Sequence, residues 1–325
     1  MSSDGTLSWR ELLSEATQRL QSAGNESAES DARRIVETAA GVEPVELFLT
    51  LDELVTERGV AHFDSMMARR IEGEPLQYVL GSWAFRTLDL MVDSRVLIPR
   101  PETEFVVEVA LGELDRIGGT ERETTVVDLG TGSGAIGLSI AVERVRTRVL
   151  LTDESQDALD VARANIAGIG RSGARVSAAV GNWFDALPVD LRGSVDMVVT
   201  NPPYVAESVV LPEEVHRWEP AGALWSGLDG LDDVRHILGA AGEWLAPTGV
   251  VVCEISPEQS GVEDVGTRGV LRSRGPGRPD GQGQGACRPT SAQGSSRLES
   301  LTWSDGSVRR TDATPGWKRK GSDST

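Results

Sequence analysis

The chain has 325 residues, 39% of them apolar, and a formal net charge of −18 at pH 7. This length and apolar content permit one large domain or two ordinary ones, each with a buried core. The acidic balance argues against a long groove that tracks nucleic-acid phosphates, because such affinity comes mostly from Lys and Arg, so no stable nucleic-acid binding is expected.

Cysteines and histidines are too few and too scattered to suggest a metal centre. Cys253 and Cys287 fit neither a disulfide scaffold nor a zinc site, and the three histidines lack ligand spacing, so no metal is predicted. The amino terminus lacks a basic stretch followed by an apolar one, and no apolar run reaches about 18 residues. These features favour a soluble cytoplasmic protein without a membrane partner.

The first 74 residues show the apolar periodicity of helices. Ser8 and Glu11 are spaced as a capping box before the first apolar face, and Gly24 is expected to end that helix. Two further apolar faces follow, one ending near Gly41 and one running to Ile71. Spacing alone leaves two roles open for this small helical domain, a stabilising cap or a surface that recognises a partner.

The pattern then changes to aromatic and β-branched residues, which predicts a β-hairpin linker over residues 75–98. Two prolines stiffen the turn that follows, and Thr103 or Glu102 is expected to start a helix from Phe105 to Leu114. Arg100 would then lie at the seam between two domains. A turn and a helix cap explain these residues equally well.

Residues 124–153 predict half of a Rossmann-like βαβ unit, with a strand, a loop, a helix and a second strand that ends at Asp153. The loop consists of Gly130, Thr131, Gly132, Ser133 and Gly134. Its N–H groups at a helix start suit an anionic group, and the acid suits ribose hydroxyls. Because the glycines also fit the relaxed dinucleotide fingerprint, the stretch alone does not separate a nicotinamide cofactor from S-adenosylmethionine.

Two clusters follow later strands of the predicted sheet. Trp183, after the third strand, could cover an adenine ring or simply pack at a rim. Asn201, Pro202, Pro203 and Tyr204 follow a buried-looking strand, at the strand end where open α/β sheets bind ligands. The Asn oxygen and a proline carbonyl can accept the two hydrogens of a planar NH2 group that Tyr204 covers. This pocket suits an amide or the exocyclic amine of a nucleobase.

The composition changes again after the predicted fifth strand, Gly249 to Ile255. Residues 266–325 are rich in Gly, Ser and Arg, contain both lysines, Lys318 and Lys320, and have few large apolar residues. Such a segment cannot bury enough surface to offset the entropy lost on ordering, so a disordered tail is predicted.

Several segments, in this order behind a helical domain and the linker GEPLQYVLG, resemble the release-factor glutamine methyltransferases (HemK/PrmC family). They are LIPRPETE, VVDLGTGSGAIGLSIA, TDESQDALDVARANI, GNWFDAL, VTNPPYV, WEPAGALWSGLDGLDDVR and GVVVCEIS. The resemblance covers about residues 6 to 260. NPPY alone occurs in several amino-methyltransferases, but its combination with IPRPETE and the linker is highly specific.

The resemblance implies methyl transfer from S-adenosylmethionine to the side-chain amide nitrogen (N5) of the glutamine in the Gly-Gly-Gln motif of peptide chain release factors. It implies an α/β, Rossmann-like methyltransferase domain over residues 99–265 and a substrate-recognition role for the helical domain, residues 1–74. The implied cofactor-binding residues are Gly130, Thr131, Gly132, Ser133, Gly134, Asp153, Trp183 and Asn201. The implied substrate-binding residues are Asn201, Pro202, Pro203 and Tyr204, of which Asn201, Pro202 and Tyr204 are also catalytic.

From Ser260 onward the sequence departs from the family pattern, and we hypothesise a frameshift that the coding DNA would reveal. The sheet is therefore predicted to lack its last strands, which would leave Gly249 to Ile255 as an exposed edge. Three alternatives stay open: an N-methyltransferase that acts on an exocyclic amine in DNA or RNA, an inactive truncated remnant that only binds cofactor, and a nicotinamide oxidoreductase. The last leaves the NPPY stretch unexplained.

Overall fold

The computed structural model describes residues 6–256 and 259, and the backbone of four short strands beyond them. The helices are α1 Trp9–Ser22, α2 Ala28–Ala40, α3 Leu47–Thr50, α4 Glu57–Ile71, α5 Leu76–Leu80, α6 Pro101–Arg116, α7 Ala135–Glu143, α8 Gln156–Gly168, α9 Glu213–Trp218 and α10 Asp232–Trp244. The strands are β1 Ser82–Phe85, β2 Leu88–Met91, β3 Thr124–Leu129, β4 Thr147–Asp153, β5 Val176–Val180, β6 Val195–Thr200, β7 Leu245–Glu254, β8 Val265–Gly266, β9 Val270–Arg274, β10 Thr302–Ser304 and β11 Ser307–Arg309. None of the described helices is both long enough and apolar enough to cross a bilayer.

The amino-terminal helices form their own apolar core, as their periodicity predicts. The capping box at the start of α1 is confirmed: the Ser8 N–H donates to Glu11 Oε2 at 2.9 Å, and the Glu11 N–H donates to Ser8 Oγ at 3.3 Å. Helix α2 ends at Gly41, whose φ of +68° is a conformation that glycine adopts without a Cβ penalty. The three predicted helical faces thus correspond to α1, α2 and α4.

The predicted hairpin forms from β1 and β2, which pair antiparallel, but the residues before it are helical. The short helix α5 ends at Gly81, whose φ of +79° turns the chain into β1. The hairpin is fixed to the later domain by Asn165 of α8, which accepts from the Met91 N–H at 2.7 Å and donates to the Met91 carbonyl at 3.0 Å.

Helix α6 begins at Pro101, earlier than the predicted start at Glu102 or Thr103. Proline suits the first helical position because its missing N–H has no partner within the helix. Arg100, the residue before it, forms an ion pair with buried Glu219 at 2.5 Å. The same Glu219 accepts from the Ile98 N–H at 3.3 Å, so this turn is attached to the segment after α9.

The main sheet has seven strands in the order β5-β4-β3-β6-β7-β9-β8, and the first five are parallel. Consecutive residues of its central strands face opposite layers. Val126 packs in a core with α6, α7 and α8, whereas Val127 packs in a second core with α10. The α/β, Rossmann-like fold class is therefore confirmed.

The prediction that the sheet lacks its last strands is wrong. Strand β7 is not an edge, because β9 pairs with it antiparallel, from Val250 opposite Arg274 to Glu254 opposite Val270. Strand β8 pairs in turn with β9, and β10 pairs with β11. Ladder hydrogen bonds join backbone groups, so composition averaged over 60 residues does not reveal a five-residue strand. The rest of the predicted disordered tail lies outside the described residues.

Candidate functional site

A cavity of about 490 Å³ opens where the carboxyl ends of β3, β4, β5 and β6 meet. Eight of the predicted site residues line it: Gly130, Thr131, Gly132, Ser133, Asp153, Trp183, Asn201 and Pro203. Gly134, Pro202 and Tyr204 do not line it. Gly134 instead caps the start of α7, and Pro202 is buried beside the cavity wall. Sequence reasoning therefore located the cavity but not the orientation of every side chain.

The glycine-rich loop after β3 is shaped by three residues with positive φ, namely Gly130 (+65°), Gly132 (+54°) and Gly134 (+89°). Glycine adopts these angles at no steric cost. Asp153 holds the loop, because its Oδ2 accepts from the Gly132 N–H at 2.9 Å. The loop and the end of β4 thus form one rigid unit on the cavity wall.

Asp153 has capacity left for a ligand. Its Oδ1 accepts from the Ser155 N–H at 2.9 Å, so each carboxylate oxygen holds one backbone donor. Burial raises the pKa of Asp153 above its usual value, and these two hydrogen bonds oppose that shift. A carboxylate offers about four lone-pair sites, so Asp153 can accept further hydroxyl donors from the cavity.

Asp128, which the sequence analysis overlooked, supports the loop from below. Its Oδ2 accepts from Thr131 Oγ1 at 2.6 Å and from the Gly137 N–H at 2.9 Å. Burial raises the Asp128 pKa to about 7, while its Oδ1 has no partner among the described residues. A charged residue inside an apolar strand, as in VVDL, is the sequence signal that could have revealed it.

Trp183 lines the cavity and lies against Gly130. A Cβ added to Gly130 would lie 3.2 Å from the indole atom Cζ3. Trp183 itself has a φ of +42°, a strained value for a residue with a side chain, and such strain persists only where surrounding structure enforces it. The indole therefore packs directly against the bare backbone of Gly130, where a larger residue would push it aside.

Asn201 follows β6 and reaches the cavity from the side of α6. Its Nδ2 lies 3.4 Å from Thr103 Oγ1, and its buried Oδ1 has no hydrogen-bond partner in the described part of the chain. An unpaired buried acceptor costs free energy unless a ligand supplies a donor. A ligand with an N–H or O–H donor would satisfy Asn201 Oδ1. The planar NH2 group that the sequence analysis predicts here is such a donor.

Two further residues shape the loop that contains Tyr204, and neither was predicted. Gln259 donates from Nε2 to the Tyr204 carbonyl at 3.0 Å and to the Gly230 carbonyl at 3.1 Å. Glu254, at the end of β7, lies beside Thr103, and burial raises its pKa to about 7. Their roles depend on partners distant in the sequence, so no local pattern marks them.

The lining side chains include carboxylates, amides, hydroxyls and two arginines, Arg95 and Arg100, but no histidine or cysteine. Such a surface can bind a polar ligand with hydroxyl groups beside Asp153 and an NH2 group beside Asn201. Catalysis here would depend on positioning rather than on a nucleophilic side chain.

Comparisons with known proteins fit this geometry. Residues 11–81 match the family model of the PrmC N-terminal domain, and residues 111–218 match that of the methyltransferase small domain. Three curated relatives carry the name release factor glutamine methyltransferase. The protein of Rhodopirellula baltica is 35% identical over 77% of this chain and 84% of its own length. The protein of Xylella fastidiosa is 39% identical over 75% of this chain and 83% of its own length. The protein of Streptomyces coelicolor is 40% identical over 77% of this chain and 85% of its own length.

Proposed function

We propose that this chain, which belongs to the release factor glutamine methyltransferase family, methylates a glutamine of peptide chain release factors. The proposed substrate atom is the side-chain amide nitrogen (N5) of the glutamine in their Gly-Gly-Gln motif. The observation that carries the proposal is the buried Oδ1 of Asn201, an acceptor without a donor among the described residues. A glutamine side chain brings the missing N–H in an NH2 group. Because release factors act in translation, we place the activity in the cytoplasm.

The residues around the cavity fit S-adenosylmethionine as the cofactor. Trp183 lines the cavity and packs against the bare Cα of Gly130, where a Cβ would lie 3.2 Å from the indole, so the ring is held in place to cover a flat group with its free face. Asp153 keeps lone pairs for ribose hydroxyls, and the positive-φ glycines expose backbone to the ligand. Gly130 to Ser133, Asp153 and Trp183 would hold the cofactor, which supplies a methyl group on a positively charged sulfur.

The chain's own contribution to the reaction is to position the amide. An amide nitrogen is a weak nucleophile because its lone pair is delocalised into the carbonyl. In the proposed complex, Asn201 Oδ1 would accept one of its hydrogens. The carbonyl of Pro202 and the ring of Tyr204 lie outside the cavity lining, so they would have to turn toward the bound amide to accept the second hydrogen and to cover its face. Well-oriented reactions gain roughly 7 to 11 kcal/mol in this way. Methyl transfer would leave the electron pair of the broken C–S bond on the cofactor sulfur, and the methylated nitrogen would release one proton to solvent.

The helical domain is proposed to recognise the release factor. Four of its apolar side chains are exposed to solvent: Val45 (86%), Phe48 (77%), Leu49 (77%) and Leu54 (63%). All four lie within ten residues of one another, on and beside α3. We call this group the α3 patch. Apolar residues that cluster on a surface are typical of protein interaction sites, and a protein substrate is the occupant that fits the family.

A labelled-methyl assay tests the proposed function. The protein is incubated with S-adenosylmethionine carrying a labelled methyl group and with one of four substrates: a release factor, the same factor with Ala in place of the Gly-Gly-Gln glutamine, DNA, or RNA. We expect label on the unmodified release factor alone. Label on DNA or RNA would favour the exocyclic-amine alternative. Calorimetric cofactor binding without any transfer would instead identify an inactive remnant.

A further inference from the structure

The side-chain amide of Asn201 has two orientations, related by a half-turn about its last bond, that exchange its oxygen and its NH2 group. In the structure Nδ2 faces Thr103 Oγ1 at 3.4 Å, and Oδ1 is the atom left without a partner. Only this orientation presents an acceptor to a substrate NH2 group. The reversed orientation would set two NH2 groups against each other.

The choice between these orientations depends on Thr103. Its hydroxyl can either accept from Asn201 Nδ2 or donate to Asn201 Oδ1. Thr103 lies on α6 and lines the cavity with only 4% of its surface exposed, so a buried protein group competes well with water for its hydroxyl. Another protein group must therefore take the hydroxyl hydrogen if the oxygen is to face Asn201 as an acceptor.

Glu254 is that group. It lies at the end of β7 with 5% of its surface exposed, beside the Thr103 hydroxyl, which acts as a hydrogen-bond donor that lowers the pKa of the Glu254 carboxyl. An ionised carboxylate only accepts hydrogen bonds, so it holds the Thr103 hydrogen and turns the Thr103 lone pairs toward Asn201. The direction of the hydrogen bonds is then fixed: Thr103 donates to Glu254, and Asn201 donates to Thr103.

We propose that Glu254, acting through Thr103, is a positioning residue that holds the carbonyl oxygen of Asn201 toward the substrate amide. This inference rests on the proposed function and adds a residue that touches neither the cavity nor the reacting atoms. Its loss is expected to lower kcat. Cofactor binding depends on the other wall of the cavity and is left unchanged.

The proposal has a consequence for pH. Burial raises the Glu254 pKa to about 7, with the Glu102 carboxylate adding to the rise and the Thr103 hydrogen bond opposing it. The neighbours that feel the Glu254 charge are the Tyr204 phenol and the Cys253 thiol, whose pKa values it raises further. When Glu254 is protonated it can donate to Thr103, which frees the Thr103 hydrogen for Asn201 and favours the reversed amide. Turnover therefore falls as the pH drops below about 7.

Substitutions at Thr103 provide the first test, with kcat and the affinity for S-adenosylmethionine measured on the full chain. Thr103→Val removes the hydroxyl at nearly constant shape, and Thr103→Ser keeps it. We expect kcat to fall at least tenfold in Thr103→Val and to stay within about threefold of wild type in Thr103→Ser, with similar cofactor affinity in both. Equal kcat values for the two variants would overturn the proposal.

The pH profile of Glu254→Gln provides the second test, at saturating S-adenosylmethionine and release factor. This variant is needed to assign a step in kcat to Glu254, because the pKa of Asp128 is also raised to about 7. Loss of the step in kcat near pH 7 supports the proposal, and a step that persists unchanged contradicts it. Calorimetry with the cofactor confirms that each variant is folded. Absence of turnover in the wild-type protein would instead refute the proposed function, so the two failures are distinct.

Discussion

The side-chain amide of Gln259 connects the end of the β7 segment to the substrate side of the cavity, since its Nε2 lies 3.0 Å from the Tyr204 carbonyl oxygen. Gln259 also contacts the Gly230 carbonyl at 3.1 Å, and its own Oε1 accepts from the Ser256 N–H at 3.0 Å. One side chain thus ties together three chain segments. The loop that carries Tyr204 depends on residues beyond the fifth strand of the sheet.

Gln259→Leu should release this loop, because an apolar side chain of similar size cannot donate to the carbonyls. We expect kcat for release-factor methylation to fall at least tenfold, with the affinity for S-adenosylmethionine within about threefold of wild type. Gln21→Leu, a change at an exposed position of α1, serves as the control and should have no effect. A Gln259→Leu enzyme with normal kcat would show that the loop keeps its position without the contact.

Gly130→Ala should weaken cofactor binding. A Cβ would lie 3.2 Å from the Trp183 ring, and alanine pays about 1–2 kcal/mol at a φ of +65°. We expect the dissociation constant for S-adenosylmethionine, measured by calorimetry, to rise at least tenfold. Gly24→Ala has similar backbone strain at φ +80° with nothing within 4 Å of the new Cβ, so it should leave the affinity unchanged. Equal affinities of the two variants would show that the packing of Trp183 against Gly130 does not support cofactor binding.

Asn201→Ala should abolish most methyl transfer and retain most cofactor affinity. The variant lacks the acceptor that positions the substrate amide, and loss of one preorganised polar group at a reacting centre typically costs about 10²–10³ in kcat. Single-turnover transfer to a release factor and calorimetry with S-adenosylmethionine measure the two properties separately. Near-normal turnover would refute the role assigned to Asn201.

Asp128→Asn should change how stability depends on pH. Because the folded-state pKa is raised from 3.8 to about 7, folding favours the protonated form. This contribution is fully present below pH 3.8 and disappears as the pH rises through 7. Asp128 alone should therefore lower the free energy of unfolding of the wild type, measured in urea, by roughly 3 kcal/mol between about pH 5 and pH 8, and the loss in Asp128→Asn should be smaller by about that amount. Exposed Asp190→Asn should behave as wild type; an identical slope in Asp128→Asn would contradict the argument.

The double substitution Phe48→Ser with Leu49→Ser tests the α3 patch. Both side chains are 77% exposed, so the change should not destabilise the fold, but it removes apolar area that the release factor would cover. We expect KM for the release factor to rise about tenfold, while kcat and the affinity for S-adenosylmethionine stay unchanged. Val145→Ser, at an equally exposed site of the methyltransferase domain, is the matched control. An unchanged KM would assign the helical domain a purely stabilising role.

Local chemistry made much of the fold predictable. The capping box of Ser8 and Glu11 and the positive-φ Gly41 depend on neighbours within one helical turn, and both were located from the sequence. The cavity was predictable because parallel strands deliver their carboxyl ends to one edge of the sheet. Each motif after a strand therefore pointed to the same place.

Residues whose role depends on distant partners were not predictable. Thr103 and Glu254 are far apart in the chain and meet only through packing of α6 against β7. Gln259 is unremarkable in sequence until its carbonyl partners at Tyr204 and Gly230 are brought together by the fold. The helix α5 was missed for a related reason, since five residues are too few for periodicity to show. Tertiary contacts decide all of these cases.

Strand β9 pairs antiparallel along five residues of β7. A β ladder is built from peptide groups, which every residue except proline carries in full. Neighbouring chain can therefore seal the flank of the catalytic sheet without encoding any particular side chain. A flank of this kind can therefore be paired by any extended stretch of chain that lacks a proline.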